Sequence, residues 1–418
     1  MANIFAVTDL VAKESLRVAH EKLQMIGTVD RQYDDSFKNG GGRHGSTLRV
    51  KNPNMYTRRQ GSRVMSVQDQ TEQAQTITVA TQDGCDMRFN SAELIQSVDN
   101  PGAFNDLSAN YIVPAISSLV SGIESDGIAY WTKATYNTAG TAGTPPTDLV
   151  AVGAARAKLN QNLAPKDGNR NIQYDSVNMG GIVNGLKGLF QDSSQIKEQY
   201  REGMVGRTAM ADWYENDRMW TLTNGSDVTC TMAAAAAVTD GGLSTSNGLV
   251  MTMASLAAAP ATGAVFTVPG VYQCHPETKS VLPGAPLQQF VIVAGTTAIQ
   301  TISPQIFLTG PRQNVCSSAG AQLTTATFDG TGIVPVFVGA ASTSYVQNLM
   351  YHKEAFQFIT ADLPLMDDAQ KCVRVTKDGL SLRVWMASDI RNDELLCRVD
   401  ILYGLAALRP AWASRITM

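Results

Sequence analysis

A surplus of positive charge, paired cysteines and long apolar runs are all missing from this chain. Its 418 residues set 33 Lys plus Arg against 37 Asp plus Glu, a formal net charge of -4. Without a cationic surplus to hold a polyanion, a dedicated nucleic-acid-binding role is disfavoured. No window reaches the roughly 18 apolar residues that span a bilayer. The early apolar stretch Ile4 to Val11 is broken by Thr8 and Asp9 and has no basic leader, so no signal peptide is read and a soluble protein made in the cytoplasm is expected. The six cysteines, Cys85, Cys230, Cys274, Cys316, Cys372 and Cys397, contain no C-x-x-C pair, which predicts free buried thiols. Cys274 beside His275 invites a metal reading, but zinc needs about four ligands and no second Cys/His cluster is near in sequence. The four histidines are dispersed. No metal, cofactor or catalytic set is expected.

Charge is scarcest in the middle. Between Ser226 and Thr343 only Asp227, Asp240, Glu277, Lys279, Arg312 and Asp329 are charged. This block is rich in Val, Thr, Ala, Gly and Pro. Its short apolar runs (Val265 to Val268, Phe290 to Val293, Gln305 to Leu308, Ile333 to Val338) are separated by Pro-Gly, Gly-Pro and Asp-Gly turns. Such a pattern predicts a small all-β barrel or sandwich. The flanks carry charge, helical spacing and strand signals, so the expectation is a β module inserted into an α+β host. The run Ala233 to Ala237 is read as a short helix or a loop.

Phe5 to Met25 alternates apolar and charged residues as an amphipathic helix. Beyond the flexible turn Gly40 to Gly45, Thr47 to Val50 and Gln75 to Ala80 alternate like two strands of a ribbon, with Arg58, Arg59 and Arg63 at its tip. An isolated hairpin is marginal in water. This one is read either as an ordinary surface hairpin or as a ribbon that lies on another copy. A short helix is expected from Asn90, with Glu93 in capping-box spacing. A longer one carries Leu107, Tyr111, Ala115, Leu119, Ile123, Ile128 and Trp131 on one face, kinked or divided at Pro114. Further helices are predicted over Asp148 to Leu163, Asp192 to Gly203 and Tyr345 to Phe358. Val177 to Phe190, alternating Gly with apolar residues, is expected to pack closely on its neighbour. Candidate strands follow at Phe356 to Ile359, Cys372 to Val375, Leu380 to Trp385 and Leu396 to Leu405.

Enzyme readings fail on residue type. Gly40-Gly41-Gly42-Arg43-His44-Gly45-Ser46 has the look of a phosphate loop but lacks the Lys before Ser and any strong strand ahead of it. No G-x-S-x-G elbow is present. The acids Asp34-Asp35 and Asp367-Asp368 point apart in extended chain and read as solvated turns. A non-enzymatic protein is expected. A decoration or host-surface-binding β protein is the rival reading, since low-charge sandwiches often bind surfaces. It leaves the ribbon and the amino-terminal helix without a role.

Three features together resemble the coat proteins of P22-like tailed bacteriophages. Leu396-Cys397-Arg398, Tyr403-Gly404 and Arg409-Pro410 stand at the family's spacing. Tyr200, Gly203, Val205 and Gly206 lead into Trp213-Tyr214-Glu215 just before the insertion, and the insertion falls after roughly the first half of the chain. The resemblance implies an HK97-like phage capsid fold with an inserted all-β barrel. Its expected parts are an arm (1–47), an extended ribbon loop (48–82), a peripheral domain with a spine helix (83–147) and an apical domain in two parts (148–225 and 344–393). Around these stand the inserted domain (226–343) and a final peripheral strand (394–418).

It also implies a function: a major capsid protein whose copies form hexamers and pentamers in a closed icosahedral shell of T=7 class around packaged double-stranded DNA. The implied partners are an internal scaffolding protein, a portal at one vertex and DNA held by weak non-specific contact, with no membrane. The protein would be a virion component assembled in the host cytoplasm. Arg58, Arg59 and Arg63 become candidate contacts to a neighbouring subunit, where Arg can bond carboxylates bidentately. Asp9 and Glu14 become candidate contacts to a basic scaffold helix. Gly40, Gly41, Gly42, Gly203 and Gly206, together with the Thr138 to Pro146 loop, are candidate hinges between non-equivalent positions, or only turns. Asp240, Ser244 and Asn247 form a candidate contact loop across a two-fold axis. No inter-subunit cross-link is expected.

Overall fold

The computed structural model describes residues 13–15, 17, 19, 23–31, 47–65, 67–68, 72, 74–90, 113–186, 207–228, 230–232, 249–254, 256, 258–297, 299–323, 334–366, 371–377 and 380–418. The chain divides into two units. One gathers Met1–Arg49, Thr76–Gly127 and Phe356–Ala406, and the other gathers Val50–Gln75, Ile128–Ala355 and Ala407–Met418. The expected ribbon is present: β1 (Thr47–Lys51) pairs with β2 (Ala74–Thr78) in a two-stranded sheet. The helices expected from Asn90 and over Asp192 to Gly203 lie outside the described residues, as does Ala233 to Ala237.

In the first unit, strand β3 (Thr81–Asn90) joins β17 (Phe356–Ala361), β18 (Lys371–Lys377), β19 (Leu380–Asp389) and β20 (Glu394–Ala407) in one five-stranded sheet. Sequence reading misses β3, because its Asp83, Asp86 and Arg88 mask the alternation. One face of the sheet is apolar. Leu380, Leu382 and Ile401, with Phe358, meet Ile116, Val120 and Ile123 of helix α1 (Val113–Ala134) and Ala19 and Leu23 around a void of only about 10 Å³. Pro114 stands in the first described turn of α1, where a missing N–H costs no helical bond. The buried Glu124 carboxylate accepts the backbone N–H groups of Gln24 (2.9 Å) and Met25 (3.1 Å). It thereby caps the short helical turn Met25–Thr28.

The opposite face of this sheet is ionic. Asp400, fully buried, takes Arg383 at 2.6 Å and Arg398 at 2.7 Å. Beside it, β20 passes so close to the ribbon that a Cβ at Gly404 would lie 2.5 Å from the Thr78 carbonyl. Tyr403 stacks on Phe358 at 5.6 Å and donates its hydroxyl to Asp83 at 2.8 Å.

In the second unit the host sheet is seven-stranded. Its path runs β4 (Thr138–Ala139), β21 (Ala413–Thr417), β16 (Ser344–His352), β5 (Arg170–Tyr174), β7 (Ala211–Glu215) and β6 (Arg207–Thr208), with β8 (Thr221–Thr223) also pairing β16. Helices α2 (Val150–Gln161) and α3 (Ser176–Leu186) bury Val152, Ala155, Leu159, Met179 and Ile182 against Ile172, Tyr174, Met350 and Ile416. Helix α2 falls within the helix expected over Asp148 to Leu163, whereas α3 forms where close packing but no helix was expected. Tyr345 to Phe358, expected as helix, is instead β16, a 3-10 turn and β17. Strand β16 is paired with β21, β5 and β8. A strand buried on both faces loses the alternation that would separate it from a helix.

The inserted block is all-β among its described residues. Its strands are β9 (Thr231–Met232), β10 (Leu249–Ala254), β11 (Val265–Gln273), β12 (Leu287–Gly295), β13 (Ile299–Ser303), β14 (Val315–Cys316) and β15 (Val336–Phe337). They pair in the path β14-β11-β12-β13-β10-β9, with β15 on β11. Phe266, Val268, Phe290, Ile292, Ile302 and Phe337 form its core, and Phe266 contacts the Phe290 and Phe337 rings at 5.7 and 5.5 Å. Gln305 to Leu308, expected as a strand, is irregular. Its buried Ile306 and Leu308 still enter the core, while Asn314 takes up the Gln305 carbonyl and the Phe307 N–H that a ladder would otherwise use.

Two expectations follow. Asp400→Ala leaves the buried Arg383 without its carboxylate and should cost about 3 kcal/mol or more, read as a lower urea midpoint. Asp167 accepts the Asn169 N–H and faces His352 at 3.0 Å, which holds its carboxyl down to about 2 from the ordinary 3.8. Its contribution is therefore complete above pH ~4 and lost as pH falls through about 2. Asp167→Asn should flatten that acid limb in urea midpoints collected from pH 6 to 2.

Candidate functional site

The ribbon tip is an unusual surface. Met55, Tyr56, Val64, Met65 and Val67 are exposed, three of them by three quarters or more. Gln68 crosses the loop to bond the Thr57 N–H (2.9 Å) and carbonyl (2.7 Å). The three expected arginines are all exposed but differ in use. Arg59 turns inward to the Arg63 and Val64 carbonyls, bracing the tip. Arg58 reaches Gln60 at 3.2 Å. Arg63 lends its carbonyl to that brace and keeps its side chain at the surface.

The second feature is the joint that carries the insertion, all within one unit. The inserted block leaves and re-enters side by side: Thr223, Leu222 and Thr221 pair with Ser344, Tyr345 and Val346. Asn224 clamps the stem by donating its amide to the Val338 and Ala340 carbonyls, each at 3.0 Å. The Ala340 N–H donates to the Tyr345 hydroxyl at 2.8 Å. Gln289 of β12 treats Thr138 of β4 as a strand partner would, accepting its N–H at 2.8 Å and donating to its carbonyl at 3.1 Å. Tyr136, Val265 and Val291 close an apolar patch between the sheets, and burial raises the Tyr136 phenol pKa.

At the centre lies Arg415 of β21. It is completely buried and donates to the Gly263 carbonyl at 2.6 Å and the Lys133 carbonyl at 3.2 Å. It ties the final strand, the end of α1 and the inserted block together. Trp220 lies beneath both cations, 5.9 Å from the Arg415 guanidinium and 5.4 Å from Lys133 Nζ. Gly263, at φ +92°, has no room for a side chain, because a Cβ would meet Trp220 at 2.8 Å. Burial lowers the Arg415 pKa to about 9, which still leaves the cation charged at neutral pH.

No sequence signal marks Arg415, Trp220 or Gln289: a buried cation bonded to carbonyls has no characteristic spacing. The family-like anchors do acquire physical reasons. Cys397 is buried in the first unit's core while Arg398 meets Asp400, Tyr403 and Gly404 serve the close passage at β2, and Arg409 covers the Trp412 ring at 4.2 Å and pairs with Glu354. Glu14, expected to receive a scaffold, is held by Arg17 one turn away, whose hydrogen bond lowers its pKa. Asp9, Gly40, Gly41, Gly42, Gly203, Gly206, Asp240, Ser244 and Asn247 lie outside the described residues. Among the described residues no cluster of His, Cys, Asp and Glu is arranged to hold a metal, and no helix is long and apolar enough to cross a membrane.

Against known proteins, residues 128–414 match a family model described as P22 coat protein, gene protein 5. Comparison with curated proteins finds no match. Similar solved structures include that of Mycobacterium phage Che8, at 10% identity and TM-score 0.46, covering 93% of this chain and 89% of that one. The capsid of cyanophage P-SCSP1u is similar at 11% identity and TM-score 0.41, covering 89% and 83%. The mature capsid of bacteriophage PhiM1 is similar at 9% identity and TM-score 0.39, covering 90% and 82%.

The joint yields an expectation of its own. Arg415→Met keeps the volume and removes the donors, leaving two buried carbonyls unanswered, and should destabilise by about 2–3 kcal/mol. The measurement is thermal melting together with tryptophan emission, where a red shift that is lost in a Trp220→Phe background reports wetting of Trp220.

Proposed function

The chain belongs to the P22 coat protein family, the major capsid proteins of tailed phages, and on that premise we propose that its copies close into an icosahedral head shell around packaged double-stranded DNA. The observation that carries the reading is the family match across residues 128–414, which includes the whole insertion and the anchors near Trp213 and Arg398. The exposed ribbon tip agrees with it. Five exposed apolar residues gathered at the ribbon tip are costly in water, a cost relieved when a neighbouring copy covers them.

In this reading the chain has the HK97-type organisation, and its ribbon lies across the adjacent subunit of a hexamer or pentamer. Arg58 and Arg63 supply outward charge to the neighbour's carboxylates or carbonyls, while Arg59 keeps the tip in shape. Contacts of this head-to-tail kind close into rings when the rotation allows. A scaffolding protein meets the amino-terminal helix through Asp9 and Glu14, with Arg17 competing for Glu14. Hinges at Gly40 to Gly42, Gly203 and Gly206 absorb differences between positions in a T=7 lattice. The insertion meets its counterpart across a two-fold through Asp240, Ser244 and Asn247. A portal occupies one vertex, and DNA is held inside by weak, non-specific contact, in keeping with the net charge of -4.

The test is expression with size-exclusion chromatography and electron microscopy, alone and with a scaffold. Closed shells, or polyheads of hexamer-like tiles, are expected. A small inert oligomer that ignores phage lysate would overturn the reading in favour of a surface-binding protein. Arg58→Glu with Arg63→Glu should leave monomer melting unchanged while lowering shell yield about tenfold, equivalent to roughly 1.4 kcal/mol for the two contacts together.

A further inference from the structure

Between Ser226 and Thr343 the only cations are Lys279 and Arg312, and both line the same cleft. It lies wholly within the second unit. Its volume of about 450 Å³ falls in the roughly 300–1,000 Å³ range of small-molecule sites. A third cation on its wall, Arg409, comes from the segment after β20, and among the described residues that line the cleft there is no carboxylate. The chain as a whole carries a formal net charge of -4, so this convergence of cations runs against its overall charge.

Lys279 stands at φ +58°, in the left-handed region where Gly or Asn is the ordinary choice. The turn that holds it is built on His275, whose N–H donates to the Ser280 carbonyl at 2.8 Å and whose carbonyl accepts the Lys279 N–H at 3.0 Å. From this turn Lys279 Nζ reaches the Pro276 carbonyl at 2.5 Å and the Gln313 carbonyl, next to Arg312, at 3.3 Å. An ammonium has three donors, and among the described residues none is bonded to the third. Arg312 rests over the Phe307 ring at 5.8 Å. Arg409 covers the Trp412 ring at 4.2 Å and meets Glu354, which is not part of the lining, at 3.4 Å. The walls are tied to one another, since Trp412 donates to the Asn162 carbonyl and Gln273 to Asn162 Oδ1, each at 3.1 Å. Burial lowers the pKa of both Lys279 and Arg312, as loss of water does to a cation.

We infer that this cleft is a binding site for a multivalent phosphate anion, of the kind presented by inorganic polyphosphate or by the phosphate chain of a nucleotide. Guanidinium forks match phosphate oxygens bidentately, and an ammonium adds a compact point charge. A neutral ligand would leave the half-buried cations unanswered, and a single small anion would not extend along a cleft of this volume. A chain of phosphates answers both demands. Once bound it joins Lys279 and Arg312 of the inserted block to Arg409, just ahead of the final strand of the host sheet. Binding therefore braces the joint of the insertion and raises stability by mass action. The site does not depend on the coat-protein reading.

The experiment is to titrate the unassembled full chain with sodium tripolyphosphate and with ATP, free of divalent cations, against sodium chloride at matched ionic strength, reading calorimetry and thermal melting. Saturable binding at one site per chain is expected, with the unfolding midpoint raised by roughly 5 °C once ligand exceeds its Kd about a hundredfold. Equal affinity for the two ligands supports the inference with the phosphate chain as the feature read. ATP tighter by about tenfold or more supports it with a nucleotide as the source. Absence of saturable binding, or a midpoint rise that sodium chloride reproduces, overturns it. Lys279→Asn, which suits the left-handed backbone, and Arg312→Gln should each weaken tripolyphosphate about tenfold, whereas Arg391→Gln, an exposed cation on the β19–β20 turn, should not. Equal losses in all three would show diffuse charge and overturn the site. Hydrogen exchange on the unmutated chain decides the matter even where a variant fails to fold: tripolyphosphate should protect 275–280 and 312–314, and protection confined to other segments refutes the assignment. Electron microscopy tests the coat-protein reading separately, because the titration needs no shell.

Discussion

A buried guanidinium answered by backbone carbonyls holds the second unit together. Arg415 reaches Gly263 and Lys133 from the final strand, so three segments far apart in sequence are fixed by one side chain. Desolvating a cation is costly, and the structure offsets that cost with carbonyl dipoles and the Trp220 face, which supply negative potential without a titrating partner. The arrangement is therefore insensitive to acid, unlike a carboxylate pair. Arg170 follows the same logic one layer away. Also buried, it donates to the Ala164 and Pro165 carbonyls and to Asn160 Oδ1, tying the end of α2 and the loop after it to β5.

The first unit solves its internal polar problem differently. Asp400 collects Arg383 and Arg398, and Ser381 and Arg374 share Asp362. The sheet thus has one face for the helix and one for ions, with Asp400 wholly excluded from water. A carboxylate there makes register unforgiving. Slipping β20 by one residue would place Val399 or Ile401 against Arg383 and move Asp400 to the apolar face. The Tyr403-Gly404 step has a similar role, since only a residue without a side chain lets β20 pass beside Thr78.

A coat protein must be stable as one chain and still offer surface to its copies. The inserted sheet meets the first need through a core of its own and a joint built from directional bonds: the Gln289 bridge, the Asn224 clamp and Arg415. Directional bonds fix an angle, whereas apolar contact alone would let the insertion slide. The ribbon leaves apolar residues uncovered while Arg59 serves its own shape, and in the proposed shell this is the surface it offers.

Much of this architecture was legible in the sequence. The scarcity of charge between Ser226 and Thr343 marked the inserted β module, because a buried strand tolerates few ions. Alternation marked the ribbon, and the spacing of Leu149, Val152, Ala155 and Leu159 marked α2, because one-sided burial imposes the period of the element. What failed, failed for physical reasons. Strand β16, buried on both faces, lost its alternation and resembled a helix; β3, carrying ions on both faces, did not resemble a strand. The sequence by itself determined the element types wherever burial was one-sided, together with the family. Only the tertiary structure decided the partners of Arg415, Asp400 and Gln289, because hydrogen bonds and ion pairs between distant segments leave no periodic trace in the chain that makes them.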